Sequence, residues 1–222
     1  MVFGSSTMNN QNNQPPHIKF GVLLSGSGRT LDNFFSHIDS GDLPAEVVVV
    51  VSSRPDALGL EKARKRGVPA CCVNRKDYRD VRSFSAAVTD ALRPHRPDLI
   101  VLAGFMCFYE IPDEYHGRVM NIHPALIPAF SGDGCYGHHV HEAVLNYGVK
   151  VSGCTVHFAD NIYDNGPIII QRVAPVMDDD TPDELATRVF EQECIAYPEA
   201  IRLFAEGRLK VEGRRVYIRN SN

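Results

Sequence analysis

The sequence predicts an α/β protein with a doubly wound, Rossmann-like and mostly parallel sheet. Residues 47–51 and 99–108 are apolar runs without polar alternation, which is typical of strands buried on both faces. Amphipathic segments such as residues 57–67 follow these runs and are typical of the helices that cover such a sheet. A glycine-rich turn at residues 25–30 joins the first strand to its helix, which is where doubly wound folds bind ligands.

The predicted elements alternate through the first part of the chain. Strands are expected at residues 17–25, 46–53, 69–74, 97–106 and 117–123. Helices are expected at residues 31–40, 57–67 and 82–95. This order favours parallel strands joined by crossover helices.

The second part of the chain predicts a change to antiparallel pairing. Residues 150–159 and 166–176 form two expected strands, and the connection between them is too short for a crossover helix. A long helix is expected at residues 181–207, with Thr181 as its N-cap. The last expected element is a small hairpin at residues 209–220.

Composition argues against several classes of protein. The 222 residues include 23 basic and 27 acidic side chains, a net charge of −4, so a dedicated nucleic-acid binder is not expected. The apolar runs are too short to cross a bilayer, so no membrane role is expected. Six cysteines without metal-binding spacing are typical of reduced thiols in a cytoplasmic protein. Residues 1–16 are expected to be a disordered leader without a signal peptide, before one domain at residues 17–222.

The glycine-rich turn from Ser25 to Thr30 is a candidate phosphate site. Glycines let the backbone approach a ligand, and the next helix presents free N–H groups with a partial positive charge. The turn lacks the third glycine of a dinucleotide site and the ending of a P-loop. A phosphomonoester paired with Arg29 is therefore favoured, and a tight turn without a ligand is the alternative.

A second candidate group is Asn121, His123 and Pro124, at the carboxyl end of a predicted strand. Asn121 offers an amide N–H to a developing oxyanion, and His123 points to the same side of the strand and can transfer a proton. Pro124 would stiffen the turn. A histidine that only caps a strand end is the alternative interpretation.

Asp164 lies in an Asp-Asn-Gly-Pro sequence, which is typical of a turn. Its carboxylate could also reach the same end of the sheet and keep His123 protonated. The nearby histidines His138, His139 and His141 do not complete a convincing zinc set, so no metal is expected. Of these three, His141 is preferred as a substrate-side or capping residue.

Together these motifs resemble the folate-dependent phosphoribosylglycinamide formyltransferase family. The likeness extends from Ile18 to Leu209 and rests on SGSGRTL, DALGLEKAR, PDLIVLAGFM, NIHPALIP, GCTVHF, DNGP and EQECIAYP. It implies a formyltransferase fold whose N-terminal half binds phosphate and whose C-terminal half binds folate. The implied reaction transfers a formyl group from the co-substrate 10-formyltetrahydrofolate to the amine of 5-phosphoribosyl-glycinamide, in purine biosynthesis.

The resemblance also implies residue roles. Asn121 would bind the oxyanion, His123 would protonate the leaving nitrogen, and Asp164 would hold His123 protonated. The implied contacts to the phosphoribosyl substrate are Gly28, Arg29, Thr30, Pro124 and Glu193, with His141 on the same side. The implied folate contacts are Arg82, Met106, Cys107, Phe108, Tyr109, Asn121, Asp160, Asn161, Ile162, Tyr163 and Asp164.

The chain departs from the family pattern at three places. Cys107 stands where the family often has a basic residue. The family's folate-contacting arginine falls at Val81, so its role is assigned to Arg82 rather than to Arg79. Residues 129–140 form a longer segment than the shortest family members have, and the sequence predicts no role for it.

Other functions stay open on the sequence alone. A methionyl-tRNA formyltransferase is expected to add a second domain of roughly 100 residues, and a formyltetrahydrofolate hydrolase an N-terminal regulatory domain. A sugar-nucleotide formyltransferase and a non-catalytic phosphate-sugar or folate binding protein are further alternatives. The protein is expected to act on small molecules as a monomer or a homodimer.

Overall fold

The computed structural model describes residues 17–220, so the expected leader at residues 1–16 lies outside the described residues. The strands are β1 (Ile18–Leu24), β2 (Ala45–Ser52), β3 (Ala70–Cys72), β4 (Leu99–Leu102), β5 (Val119–His123), β6 (Val151–Phe158), β7 (Ile168–Pro175), β8 (Leu209–Glu212) and β9 (Arg215–Ile218). The α-helices are α1 (Arg29–Asp39), α2 (Leu58–Lys65), α3 (Val81–Leu92), α4 (His138–Tyr147) and α5 (Pro182–Ala205).

These strands form one mixed sheet in the order β3-β2-β1-β4-β5-β6-β7-β9-β8. The strands from β3 to β5 pair in parallel, as the apolar runs predict. Pairing becomes antiparallel between β5 and β6 and between β6 and β7. The predicted fold class, mostly parallel with an antiparallel C-terminal part, is therefore confirmed.

Helices cover both faces of the sheet, because successive residues of each strand point to opposite sides. Phe20 and Val22 of β1 pack in a core cluster that also contains residues of α1, α2, α4 and α5. Leu23, the next residue along β1, packs in a second cluster with residues of α3. The sheet is thus buried on both faces, which explains the apolar runs of its central strands.

Helix α5 ties the two halves of the sheet together. It begins with the predicted N-cap, since the Thr181 hydroxyl accepts from the Glu184 N–H at 3.3 Å and the Glu184 carboxylate accepts from the Thr181 N–H at 2.8 Å. Further along the helix, the buried Tyr197 hydroxyl lies 2.9 Å from the Met120 carbonyl and 3.1 Å from the Leu102 carbonyl. These contacts hold α5 against the last residue of β4 and the second residue of β5.

The structure differs from the sequence-based expectation at two places near those ends. Strand β4 stops at Leu102, because Gly104 adopts a φ of 73° and turns the chain away from the extended direction. Helix α4 is an element that the sequence analysis does not predict. Its first turns carry His138, His139 and His141, the three histidines that do not complete a zinc set. The C-terminal hairpin formed by β8 and β9 is confirmed. Among residues 17–220, no helix is both long and apolar enough to cross a membrane.

Candidate active site

A cavity of about 640 Å³ opens where β1, β4 and β5 end. The glycine-rich turn forms one wall, the loop after β4 forms a second, and the loops after β5 and β6 complete it. Every site residue that the sequence predicts lines this cavity except Arg82 and Asn161. The cavity therefore lies beyond the carboxyl ends of the strands, where open α/β sheets bind ligands.

The glycine-rich turn is shaped by close packing against α2. Gly28 has a φ of 70°, and a Cβ added to it would lie 2.7 Å from the Cα atom of Gly59. Behind the turn, the Ser25 hydroxyl accepts from the Met106 N–H at 2.8 Å. Because α1 begins at Arg29, on the cavity wall, its first N–H groups are available to an anion such as a phosphate.

Arg29 and Glu193 form the charged end of the cavity. The Arg29 guanidinium lies over the Phe190 ring, 3.9 Å from its centroid, which fixes the direction of the side chain. Burial raises the pKa of the Glu193 carboxyl to about 7, although the positive charge of Arg29 opposes this shift. The cavity thus has a cation beside the glycine-rich turn and a carboxyl group that changes charge near neutral pH.

His123 is buried at the end of β5 between two oxygen atoms. Its Nδ1 atom lies 3.3 Å from Oδ2 of Asp164, and its Nε2 atom lies 2.8 Å from the carbonyl oxygen of Phe130. An ionised carboxylate and a carbonyl can only accept hydrogen bonds, so the ring satisfies both contacts when both nitrogens carry a proton. A ring held in this way is placed to donate a proton.

Asp164 is held in place by the backbone around it. It adopts a φ of 49°, a left-handed conformation that is uncommon for a residue with a side chain and that often occurs at functional sites. Its Oδ2 atom accepts from the Gly132 N–H at 3.0 Å. The long segment after β5 therefore contacts both members of the pair, through the Phe130 carbonyl on His123 and the Gly132 N–H on Asp164.

His157 is a site residue that sequence reasoning missed. It pairs with Asn121 in the antiparallel register of β5 and β6, and it is 1% exposed. Its Nδ1 atom donates to the Phe158 carbonyl at 2.9 Å, so its Nε2 atom is free to accept from the Asn121 amide at 3.2 Å. Burial lowers the pKa of His157, which keeps this ring neutral.

This contact orients the Asn121 amide. The same Nδ2 atom donates a longer hydrogen bond, 3.4 Å, to Oδ1 of Asp164. The His157 contact therefore fixes one amide hydrogen, and the weaker Asp164 contact is the one that a developing oxyanion can replace. The sequence offers little signal for this role, because His157 lies in an expected strand whose pairing with the strand of Asn121 is seen only in the structure.

The segment after β4 supplies an apolar wall. Met106 is 50% exposed, and the Phe108 ring meets the Tyr163 ring edge-on with their centroids 4.8 Å apart. Cys107 and Tyr109 also line the cavity, but the buried Tyr109 hydroxyl is bonded to Thr89 at 2.8 Å. This wall suits a flat aromatic ligand, and Tyr109 presents it with ring surface rather than with its hydroxyl.

The loop at residues 160–164 connects this wall to the contact between His123 and Asp164. Asp160 stabilises the loop from within, because it accepts from the Ile162 N–H at 3.0 Å and from the Asn165 amide at 2.9 Å. Asn161 points away from the cavity and bonds to the Ile111 backbone at 2.7 and 3.2 Å. Asn161, which is one of the predicted folate contacts, therefore anchors the loop to the backbone of Ile111.

Arg82 and the exposed histidines of α4 differ from the other residues that the sequence singles out. Arg82 is exposed near the start of α3 and does not line the cavity. His138 and His139 lie near the carboxylate of Glu142, and no group of His, Cys, Asp and Glu residues within residues 17–220 is arranged to hold a metal ion. His141, by contrast, is buried and lines the cavity.

Comparison with known proteins identifies the family. A family model described as formyl transferase matches residues 18–201. The chain belongs to the formyl transferase family. Among solved structures of this family, the glycinamide ribonucleotide transformylase 1 of Symbiobacterium toebii superimposes with a TM-score of 0.87 at 43% identity, covering 97% of this chain and 100% of that one.

Curated members of the family give the same result. The phosphoribosylglycinamide formyltransferase of Haemophilus influenzae is 34% identical over 202 residues, which cover 90% of this chain and 93% of that protein. The chloroplastic enzyme of Arabidopsis thaliana is 36% identical over 200 residues, covering 89% of this chain and 68% of that protein. In relatives that are trifunctional purine biosynthetic proteins, such as that of Bos taurus, the chain spans only 19% of the length.

Proposed function

We propose that this protein transfers the formyl group of 10-formyltetrahydrofolate to the amine of 5-phosphoribosyl-glycinamide, giving the formylglycinamide ribonucleotide and tetrahydrofolate in purine biosynthesis. The observation that carries the proposal is one cavity that joins an anion-binding helix start to Asn121, His123 and Asp164. The formyl transferase family and the names of the full-length relatives support this choice of reaction.

The residues of the cavity account for both ends of the phosphoribosyl substrate. The N–H groups at Gly28, Arg29 and Thr30 suit the phosphate, and the Arg29 guanidinium adds charge pairing. The Glu193 carboxylate suits the ribose hydroxyls, which are hydrogen-bond donors. Pro124 lines the cavity beside His123, where the glycinamide end would lie.

The catalytic groups suit attack of an amine on a formyl carbon. The Asn121 amide binds the oxyanion of the tetrahedral intermediate, and His123, as an imidazolium, stabilises the same charge. His123 then gives its proton to the folate nitrogen as the bond from that nitrogen to the formyl carbon breaks. Asp164 stabilises the imidazolium and assists removal of the amine proton through water. The Phe130 carbonyl, which lies 2.8 Å from Nε2 of His123, has to move aside when the substrate accepts this proton.

The folate would lie against the wall formed by residues 106–109 and the loop at residues 160–164. Phe108 and Tyr163 offer ring surfaces to a pterin, and Asp160 offers acceptors to its N–H groups. Arg82 lies outside this cavity, so a role for it requires contact with the far end of the folate. A monomer or homodimer in the cytoplasm fits this function, and no metal, nucleic acid or membrane partner is required by it.

The central experiment measures release of tetrahydrofolate from 10-formyltetrahydrofolate by the full chain, with and without glycinamide ribonucleotide. Turnover that depends on the acceptor supports the proposal. Turnover without the acceptor would indicate a hydrolase, and turnover only with an amino-sugar nucleotide would indicate a sugar-nucleotide formyltransferase. Folate binding without any turnover would indicate a binding protein.

A further inference from the structure

His141 is a buried polar residue that the mechanism above does not use. It lies in the first turns of α4 and is 5% exposed, whereas His139, two residues before it, is exposed. The side chain of His141 lines the cavity, and its neighbours in the helix, Val140 and Val144, are buried in the core. Of the three histidines in α4, only His141 is buried, although His138 also lines the cavity.

The inward-facing ring carries a nitrogen without a partner. The Nδ1 atom of His141 is buried and has no hydrogen-bond partner within residues 17–220. Buried polar atoms are nearly always paired, because leaving one unpaired destabilises the folded protein. The unpaired nitrogen destabilises the protein without a ligand, and the ring lies in the wall of the cavity. A ligand bound in the cavity could therefore supply the missing hydrogen-bond partner.

The surroundings of His141 also select its charge. Burial, together with the charges of His138 and His123, lowers the pKa of His141 to about 4, so the ring is neutral at pH 7. His123 and His141 therefore line one cavity with different partners, since His123 faces two hydrogen-bond acceptors and Nδ1 of His141 faces none among residues 17–220. A neutral imidazole accepts a hydrogen bond from an amine without repelling it.

Building on the proposed function, we infer that His141 binds the attacking primary amine of the acceptor substrate, accepting one amine N–H so that the nitrogen lone pair is directed at the formyl carbon. The amine attacks only as the free base, and a second cation beside His123 would disfavour its approach. His141 is a substrate-binding residue in this assignment: it forms no covalent bond, and the amine proton still leaves through water.

The inference is tested with two side chains of similar shape, His141→Gln and His141→Met. Gln keeps a hydrogen-bonding group at the cavity, whereas Met only fills the space. Losing one neutral hydrogen bond is expected to lower kcat/KM for glycinamide ribonucleotide by about 3- to 10-fold in the Met variant, with the Gln variant closer to wild type. His139→Met, on the exposed side of the same helix, is the matched control and is expected to behave as wild type.

Stability and ligand choice separate this role from a structural one. Removing an unpaired buried nitrogen is expected to leave the Tm of the Met variant unchanged or to raise it by roughly 2–4 °C. The Met substitution should weaken binding of glycinamide ribonucleotide, but not of the acetamide ribonucleotide, in which a methyl group replaces the aminomethyl group. The affinity for 10-formyltetrahydrofolate should not change.

Equal kcat/KM values for the Gln and Met variants would overturn the inference. So would an equal loss of affinity for the amine and methyl ribonucleotides, or a loss of folate affinity in the Met variant. These outcomes are distinct from failure of the proposed function, which would appear as a wild-type protein without acceptor-dependent release of tetrahydrofolate.

Discussion

The Nδ1 atom of His123 lies 3.3 Å from Oδ2 of Asp164, and both side chains are almost fully buried. The two residues come from distant parts of the chain, the end of β5 and the loop between β6 and β7. Because the carboxylate lies beside the ring in a site with little water, it stabilises the protonated ring more than it would at the surface. The geometry of the pair therefore suits transfer of a proton inside the cavity.

Replacing His123 by Ala is expected to reduce kcat by roughly 1,000-fold or more, because the proton donor for the leaving nitrogen is lost. Folate binding should remain close to that of wild type, since the apolar wall at residues 106–109 is unchanged. Steady-state kinetics and a folate binding titration check both parts. His116→Ala, at an exposed histidine away from the cavity, is the control. A His123→Ala enzyme with more than a tenth of wild-type turnover would rule out this role.

Replacing Asp164 by Asn is expected to lower kcat by roughly 100-fold or more. The neutral amide keeps a side chain of similar shape beside Nδ1 of His123, but it cannot stabilise a positive charge on the ring as the carboxylate does. Steady-state kinetics measure the loss, and a variant with wild-type kcat would show that the charge of Asp164 does not act on His123.

Glu193 is expected to make acceptor binding depend on pH. Burial raises the pKa of its carboxyl to about 7, so the ionised form that accepts from ribose hydroxyls increases as the pH rises through 7. The value of kcat/KM for glycinamide ribonucleotide should rise over this range in wild type. Glu193→Gln should bind the acceptor more weakly and show a flatter profile. The kcat/KM for the folate is the internal control, because it should show no such difference between the two proteins.

The same residue predicts a change in stability. The pKa of Glu193 is raised in the folded protein above its usual value of 4.5, so between about pH 4.5 and 7 the folded state holds a proton that the unfolded state releases. Stability from this group is present below that window and is lost as the pH rises through it. The Tm of Glu193→Gln minus that of wild type should therefore increase between pH 4 and pH 8, as measured by calorimetry. A difference that falls with pH would contradict the assignment.

Gly28 is expected to be intolerant of a side chain. A Cβ at this position would lie 2.7 Å from the Cα atom of Gly59, at a φ of 70° that side chains rarely adopt. Gly28→Ala should destabilise the protein by about 1–3 kcal/mol and raise the KM for the phosphorylated acceptor, because the turn must move away from α2. Thermal unfolding and acceptor kinetics measure the two effects. Gly26→Ala is the control for stability, since nothing lies within 4 Å of its added Cβ.

Much of the fold could be predicted because it depends on local patterns. The apolar runs, the Thr181 cap and the short connection before β7 each reflect a rule that acts over a few residues. Strand β4 was predicted too long because residues 103–106 continue its apolar run, whereas Gly104 turns the chain at a φ of 73°. Hydrophobicity alone does not record such a turn.

The site was predictable only where a motif marks it. Asn121 and His123 lie at the end of β5, Asp164 lies in a turn-forming sequence, and the structure brings all three into one cavity. His157 lies inside an ordinary buried strand, and only the antiparallel register, which opposes it to Asn121, gives it a role. Similarly, the contacts of Phe130 and Gly132 come from backbone atoms, which residue types do not reveal.

His157 leads to a last prediction, on the orientation of the oxyanion donor. Its Nε2 atom accepts from the Asn121 amide at 3.2 Å, and this contact fixes which way the amide group points. His157→Leu removes the acceptor but keeps an apolar side chain of similar size in the strand. We expect a decrease in kcat of roughly 10-fold, smaller than the approximately 100-fold decrease for complete loss of an oxyanion donor, with KM for the acceptor little changed.

The control for this prediction is His157→Gln, whose side-chain oxygen can accept from Asn121 in place of Nε2. If His157 orients the amide, the Gln variant should recover much of the lost kcat, although both variants change the same buried position. The double variant with Asn121→Ala provides a further check, because the effect of His157→Leu should largely disappear once the amide is absent. Independent, multiplicative losses in the double variant would mean that His157 acts on catalysis without Asn121.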